Sequence, residues 1–249
     1  YFDIDLFVDN SMDKDCELLP FEYGKRYTID QLERHRDGYD EILYHIGNCV
    51  RYHTNPYKLF ERLGGIVEIH DFDLNAFFYQ GFYVAGQKEV FRRVLKAGYG
   101  EAGEQHFQNM EKKAESPDGT RFPMSHGIAR QAAKVILHNE WSYRQLGTDV
   151  RKYLVPHPCF EMEEKGDSYQ EVLENVREKI HYRDGETVIG CLGWMNSNKR
   201  PQIMIQSLAR LRRQGYSVKL VFWGSKGTEE CNALIKREQL QEAVVITGY

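Results

Sequence analysis

Val188-Ile189-Gly190-Cys191-Leu192-Gly193-Trp194-Met195-Asn196-Ser197-Asn198-Lys199-Arg200-Pro201 runs from an apolar strand through a polar loop into a helix start. From about Pro201 to Gln214, Met204, Leu208 and Leu211 recur at i, i+4 and i+7, one stripe of an amphipathic helix. A second apolar strand, Val218 to Trp223, follows. Strand, helix and strand in this order predict a βαβ unit with parallel strands. A helix near Glu229 to Gln239 and a strand Val244 to Thr247 begin the next repeat.

The same alternation holds upstream. Phe2 to Val8 alternates apolar and polar residues as a strand does. Glu41 to Ile46 is a second strand, ending at Gly47-Asn48, and Gly65 to Ile69 a third, ending at His70-Asp71. Between them His53 to Leu63 has the composition of a helix. Ile128 to Ala133 reads as a helix, Lys134 to Leu137 as a short strand, and Tyr153-Leu154-Val155 as another before Pro156. Residues 86–123 break the pattern as a helical excursion. Its helices, Glu89 to Lys96 and Gln105 to Ala114, are divided by Gly98, Gly100 and Gly103. Pro156-His157-Pro158 interrupts the chain, and residues 158–187 form a charged linker whose helix opens on the capping box Ser168-x-x-Glu171. The expectation is an α/β protein with domains at 1–157 and 188–249.

Composition narrows the function. The 249 residues are 41% hydrophobic, enough for a packed core and too many for a disordered chain. A net charge of −4 excludes a surface that grips nucleic acid throughout. The cysteines Cys16, Cys49, Cys159, Cys191 and Cys231 contain no C-x-x-C pair, so a reducing compartment is expected and a zinc knuckle is not. The longest uncharged stretch, Leu74 to Gln87, is too short and too polar to cross a bilayer. Tyr1 opens inside an apolar alternation and Tyr249 closes just after a strand-like run, so the sequence reads as an excerpt of a longer chain.

Three strand ends carry the chemistry. After Gly193, either Asn198 or Ser197 is able to cap the helix that Pro201 begins. The N–H groups of that helix start carry about +0.5 of a charge, and Lys199 and Arg200 add to it. The result is either a phosphate-binding nook at the carboxyl edge of a sheet or an ordinary capped helix with solvated basic residues. At the second end, His70 and Asp71 occupy the position from which parallel sheets present polar groups to a crevice. A loop histidine there can also be purely structural. A metal would need further ligands, for which His45, His53 and Asp73 are available. Asn48, at the third end, can hydrogen-bond a polyol or simply turn the chain. Phe77, Phe78, Tyr79, Phe82 and Tyr83, followed by Lys88, Arg92, Arg93 and Lys96, suit either a core or a peripheral membrane contact. Gly224 to Gly227, after the strand Val218 to Trp223, permits close backbone approach to a ligand.

Together these residues resemble the family-four glycosyltransferases of the GT-B fold. The resemblance is carried by Tyr44 to Asn48 with His53, by Gly65 to Leu74, and by Ile128 to Glu140. Further on it is carried by Val155 to Pro158, by Gly193 to Pro201, and by Leu220 to Gly224. It implies two Rossmann-like parallel-sheet domains facing across a cleft, both incomplete here. It also implies retaining, hexosyltransferase-type transfer from a nucleotide-diphosphate sugar to a glycan or lipid-linked acceptor. The setting implied is polysaccharide or cell-envelope synthesis, in the cytoplasm or at the inner face of the membrane.

By this resemblance His70 and Lys199 are catalytic. Gly193, Asn198, Arg200, Gly224, Gly248 and Tyr249 meet the donor, while Asn48 and Asp71 meet the acceptor. No metal or other cofactor is required. Two departures stand out: Trp194 occupies the place where many members carry a diphosphate-binding arginine, and the paired-glutamate motif lies beyond Tyr249. Rival expectations are a metal-dependent hydrolase using His70, Asp71 and Asp73, and a non-catalytic sugar-nucleotide-binding scaffold.

Overall fold

The computed structural model describes residues 2–9, 24–157, 167–224 and 226–248, without the side chains of residues 167, 168 and 198. The chain divides into two compact units, Tyr1–Cys159 and Phe160–Tyr249. Each is α/β and Rossmann-like, built on a parallel sheet.

In the first unit, β1 (Leu6–Val8) pairs in parallel with β2 (Arg26–Thr28), and the short helix α1 (Leu32–His35) follows. The order then runs β3 (Leu43–Ile46), α2 (Val50–Leu63), β4 (Ile66–Ile69), α3 (Asn75–Phe78), α4 (Lys88–Glu111), α5 (Ser125–Ala129), β5 (Lys134–Leu137), α6 (Glu140–Gln145) and β6 (Lys152–Leu154). Strands β3 to β6 form one parallel sheet in chain order. Successive strand residues face opposite sides. Tyr44, Ile46, Val67, Ile69, Val135 and Leu137 therefore share one face and are buried on it, leaving His45 and Glu68 on the other.

The aromatic run after β4 belongs to this core. Phe77, Phe78 and Phe82 are fully buried and pack edge-on around Tyr57. Each such burial contributes about 1.5–3 kcal/mol. The cations that follow are paired as well: Lys88 with Glu111, Arg92 and Lys96 with Glu104, and Arg93 with Glu61. The stretch is a core element and not an apolar membrane face. Among the described residues no helix is long and apolar enough to cross a membrane.

The excursion holds two helical segments within α4, divided as expected by a kink at Gly100 (φ 58°, ψ −134°), a conformation that L-residues resist. Arg130 covers the carbonyls beside the bend, donating to the oxygens of Ala97 (2.9 Å) and Gly98 (2.6 Å). Helix α5 starts at Ser125 and stops at Ala129, ahead of the expected Ala133. The chain is by then joining the sheet, where the Ala133 N–H donates to Gly65 O.

The second unit runs α7 (Asp167–Lys179), β7 (Thr187–Leu192), α8 (Pro201–Arg213), β8 (Val218–Trp223), α9 (Glu229–Arg237) and β9 (Val244–Ile246). Its three strands are parallel in the order β7-β8-β9. Leu208 lies in the buried stripe of α8 as expected, but Ile205 and Ala209 complete it, and Met204 and Leu211 flank it half-buried. Lys219 is buried in β8; it donates to the carbonyls of Ile180 (3.0 Å) and His181 and lies 3.1 Å from Glu186. That contact fastens the end of α7 to the sheet. Ser168, expected to cap α7, has its side chain outside the described residues. Cys49, Cys191 and Cys231 are free thiols.

Candidate functional site

Both sheets present polar residues at their carboxyl edges, the place where open α/β sheets bind ligands. In the first unit, His45 pairs with Glu68 across β3 and β4, so the two side chains lie on the same face. His70 continues that parity one step past β4, and His138 does so one step past β5. Their atoms meet. Nε2 of His138 lies 2.8 Å from Oε1 of Glu68, and its Nδ1 lies 2.8 Å from the carbonyl oxygen of Val155. Nδ1 of His45 lies 3.3 Å from Oε2 of Glu68 and 3.1 Å from Nε2 of His70. His53, from α2, donates Nδ1–H to the carbonyl of His45 (3.0 Å). The ring of His157 stacks on His138 with centroids 3.9 Å apart. Burial holds His70 and His53 below the usual histidine range, although the Glu68 carboxylate opposes this at His70.

The neighbouring loop residues are occupied. Asn48 donates its N–H to Oδ2 of Asp71 (2.8 Å), stitching the ends of β3 and β4 together. Its own Oδ1 accepts from the N–H of Phe77 (2.8 Å), so it anchors α3 and keeps only its amide N–H groups for a ligand. Asp73 accepts from the N–H of Asn75 (2.9 Å).

In the second unit a left-handed glycine follows each strand: Gly193 directly after β7 (φ 92°), Gly224 directly after β8 (φ 82°) and Gly248 two residues after β9 (φ 69°). The Gly193 N–H donates to Trp223 O (2.8 Å), and Thr247 links the other two, accepting from Gly224 N (3.3 Å) and donating to Gly248 O (3.0 Å). A Cβ on Gly193 or Gly248 would meet no atom within 4 Å. The edge is therefore open backbone.

The loop into α8 is capped by a residue other than those expected. Asn196 accepts from Lys199 N (3.2 Å) and closes a single 3-10 turn, Ser197–Lys199. Arg200, in the left-handed region (φ 49°, ψ 50°), then leads into Pro201 at the first position of α8. Ser197 lies inside the turn, and the side chain of Asn198 lies outside the described residues, as does Tyr249. Lys199, Arg200 and Trp194 are exposed.

The structure thus gathers His45, Asn48, His53, His70 and Asp71 at one edge, and Gly193, Gly224 and Gly248 with Lys199 and Arg200 in their loop at the other. Glu68, His138 and His157 went unassigned in the sequence reading. A glutamate inside the apolar run Gly65 to Ile69 was the available signal for the first. No family model matches the chain, and no curated protein matches it.

Proposed function

We propose that this protein is a retaining glycosyltransferase that moves a sugar from a nucleotide-diphosphate donor to the hydroxyl of a glycan or lipid-linked acceptor. Support comes first from the glycine edge of the second unit. Of three adjacent parallel strands, β7 and β8 are followed directly by a residue without a side chain and β9 reaches one after Thr247, so a nucleotide can lie close to the backbone. Beside it, Lys199 and Arg200 precede the N-terminus of a thirteen-residue helix. The leaving diphosphate gains charge as the glycosidic bond breaks, so cations fixed there stabilise the transition state more than the ground state. In this scheme His70 is catalytic beside the donor sugar, Asn48 and Asp71 serve the acceptor side, and the reaction belongs to polysaccharide or cell-envelope assembly in the cytoplasm. The hydrolase built on His70, Asp71 and Asp73 has less support, because both carboxylates already accept from backbone N–H groups.

The test is a thermal-shift panel of UDP, GDP and ADP, with inorganic phosphate as the control. A ligand at a hundred times its Kd stabilises the folded state by about 2.7 kcal/mol. One nucleotide should raise Tm clearly above phosphate, and that shift should shrink in Lys199→Ala. No shift with any of the three would remove the transferase reading. A shift without turnover would leave the binding scaffold.

A further inference from the structure

We propose that His45, Glu68 and His70 bind a divalent transition-metal ion of the zinc class, with a fourth position open to water. The donor set is two imidazoles and one carboxylate, a combination that suits zinc and its neighbours better than magnesium or calcium. Bonds of 2.0–2.1 Å to a tetrahedral zinc place its ligand atoms about 3.3 Å apart. Here Nδ1 of His45 lies 3.1 Å from Nε2 of His70 and 3.3 Å from Oε2 of Glu68, and Nε2 of His70 lies 3.8 Å from Oε1 of Glu68. Two of these separations stand near the spacing a cation would impose, and the three ligand atoms all lie within 4.8 Å of one another. Among the described residues this is the group of three that could hold a metal.

The surroundings also fit. A ligating carboxylate works best when another group fixes it. His138 does this, with Nε2 2.8 Å from Glu68 Oε1 and Nδ1 2.8 Å from the Val155 carbonyl oxygen. Because both of its ring nitrogens face oxygen acceptors, His138 orients Glu68 and is not itself a ligand. The Glu68 and His138 side chains are 14% and 9% exposed, whereas His45 is 58% exposed, so the back of the site is closed and its front is open to an entering ion and to water. The paired strands β3 and β4 supply His45 and Glu68, and His70 follows directly on β4, which gives a rigid frame. Metal binding does not depend on sugar transfer. If the chain is a transferase, the ion occupies Nε2 of His70 and so inhibits it.

The experiment uses the whole chain, stripped of metal by a chelator. Co2+ titration should produce the intense visible absorption of a tetrahedral site at one equivalent, and Zn2+ should displace it. His45→Ala, His70→Ala and the near-isosteric Glu68→Gln should each weaken Zn2+ binding at least tenfold by calorimetry. His181→Ala, in the other unit, should bind as the parent does. Far-UV circular dichroism and Tm of the metal-free proteins check folding, and Glu68→Gln keeps the test decisive if a histidine variant fails to fold. Sub-stoichiometric binding, or Glu68→Gln and the folded histidine variants matching the parent, would overturn the site. Nucleotide binding is measured separately, so either result can fail without the other.

Discussion

The backbone N–H of Lys199 donates to Oδ1 of Asn196 at 3.2 Å. The main chain of the lysine is thereby fixed while its side chain is exposed ahead of α8. A cation held in this way is suited to a diphosphate and has little part in the core. Charge-assisted hydrogen bonds contribute about 1.5–3 kcal/mol each. Lys199→Ala should therefore cut turnover at least about tenfold, at about 1.4 kcal/mol per decade. Its Tm without ligand should match the parent. Lys199→Arg should restore only part of the rate, since a planar fork presents its charge differently from an ammonium. Lys112→Ala, at the far end of α4, should change neither. Parent-like diphosphate affinity and turnover in Lys199→Ala would reduce the loop to a helix lead-in.

Asn196 itself gives a companion prediction. Removing a capping oxygen of this kind costs about 1 kcal/mol. Asn196→Ala should show a loss of that size in urea denaturation and should weaken nucleotide binding, because Lys199 loses its anchor. Asn196→Asp keeps the acceptor and should retain the stability. If Asn196→Ala binds nucleotide as tightly as the parent, the position of Lys199 is set by something other than this contact.

Most of the parallel strands were legible because each is a short apolar run delimited by glycine, proline or polar residues, as at Ile66 to Ile69 and Val218 to Trp223, whereas β2, Arg26-Tyr27-Thr28, was missed because it has no such run. Gly193, Gly224 and Gly248 were also picked out. Their common left-handed backbone is a conformation, and no residue letter records it. The capping residue was missed because Asn196, Ser197 and Asn198 all carry an acceptor, and only the loop backbone selects among them. Glu68 and His138 were missed for another reason. Their contact depends on the pairing of β4 with β5, and the helical excursion that separates those strands hides their register. Long-range register is a tertiary property, so local periodicity could place each residue on a strand but could not bring the two together.

The glycine edge can be tested through strain alone. A Cβ on Gly193 or Gly248 has open space, so the cost of Gly193→Ala or Gly248→Ala comes from its positive φ and should be about 1–2 kcal/mol. Gly190, inside β7, also has open space but lies outside the left-handed region. Gly190→Ala should be neutral or stabilising by up to about 1 kcal/mol. Urea midpoints of the three variants give the comparison. Equal midpoints would mean that the strand ends relax freely and hold no fixed backbone for a ligand.

Lys219 and Glu186 form a buried pair whose side chains are 2% and 5% exposed. Removing one partner of such a pair leaves a buried charge and costs about 3–5 kcal/mol. Lys219→Met should be destabilised by that amount and should also loosen α7, whose following carbonyls the lysine holds. Adding Glu186→Leu should recover most of the loss, since the buried carboxylate, left with only Arg212 at 3.9 Å among the described residues, is then gone. A double variant no more stable than Lys219→Met would assign the cost to the carbonyl contacts and not to the charge.

Burial holds His53, His70 and His126 below their ordinary value of 6.5. At His126 the neutral ring is satisfied at both nitrogens: Nε2–H donates to Gln145 O (3.1 Å), and Nδ1 accepts from the hydroxyl of Tyr99 (3.0 Å). A second proton would displace that acceptor bond. Each of these groups binds protons more readily in the unfolded chain than in the folded one, so stability rises with pH. Their contribution is complete above about pH 6.5 and is lost as pH falls from there through the folded-state values. The depressed carboxylates Glu104, Glu111, Glu115 and Asp149 follow the same sign but start from 4.5 or 3.8, so their losses come at lower pH. Urea midpoints measured at about pH 7.5 and about pH 5.5 isolate the histidines, and the lower pH should give the lower midpoint. His126→Gln, which can still donate to Gln145 O and accept from Tyr99, should reduce the difference. An equal or higher midpoint at pH 5.5 would mean that these rings accept their second proton in the folded protein at no cost.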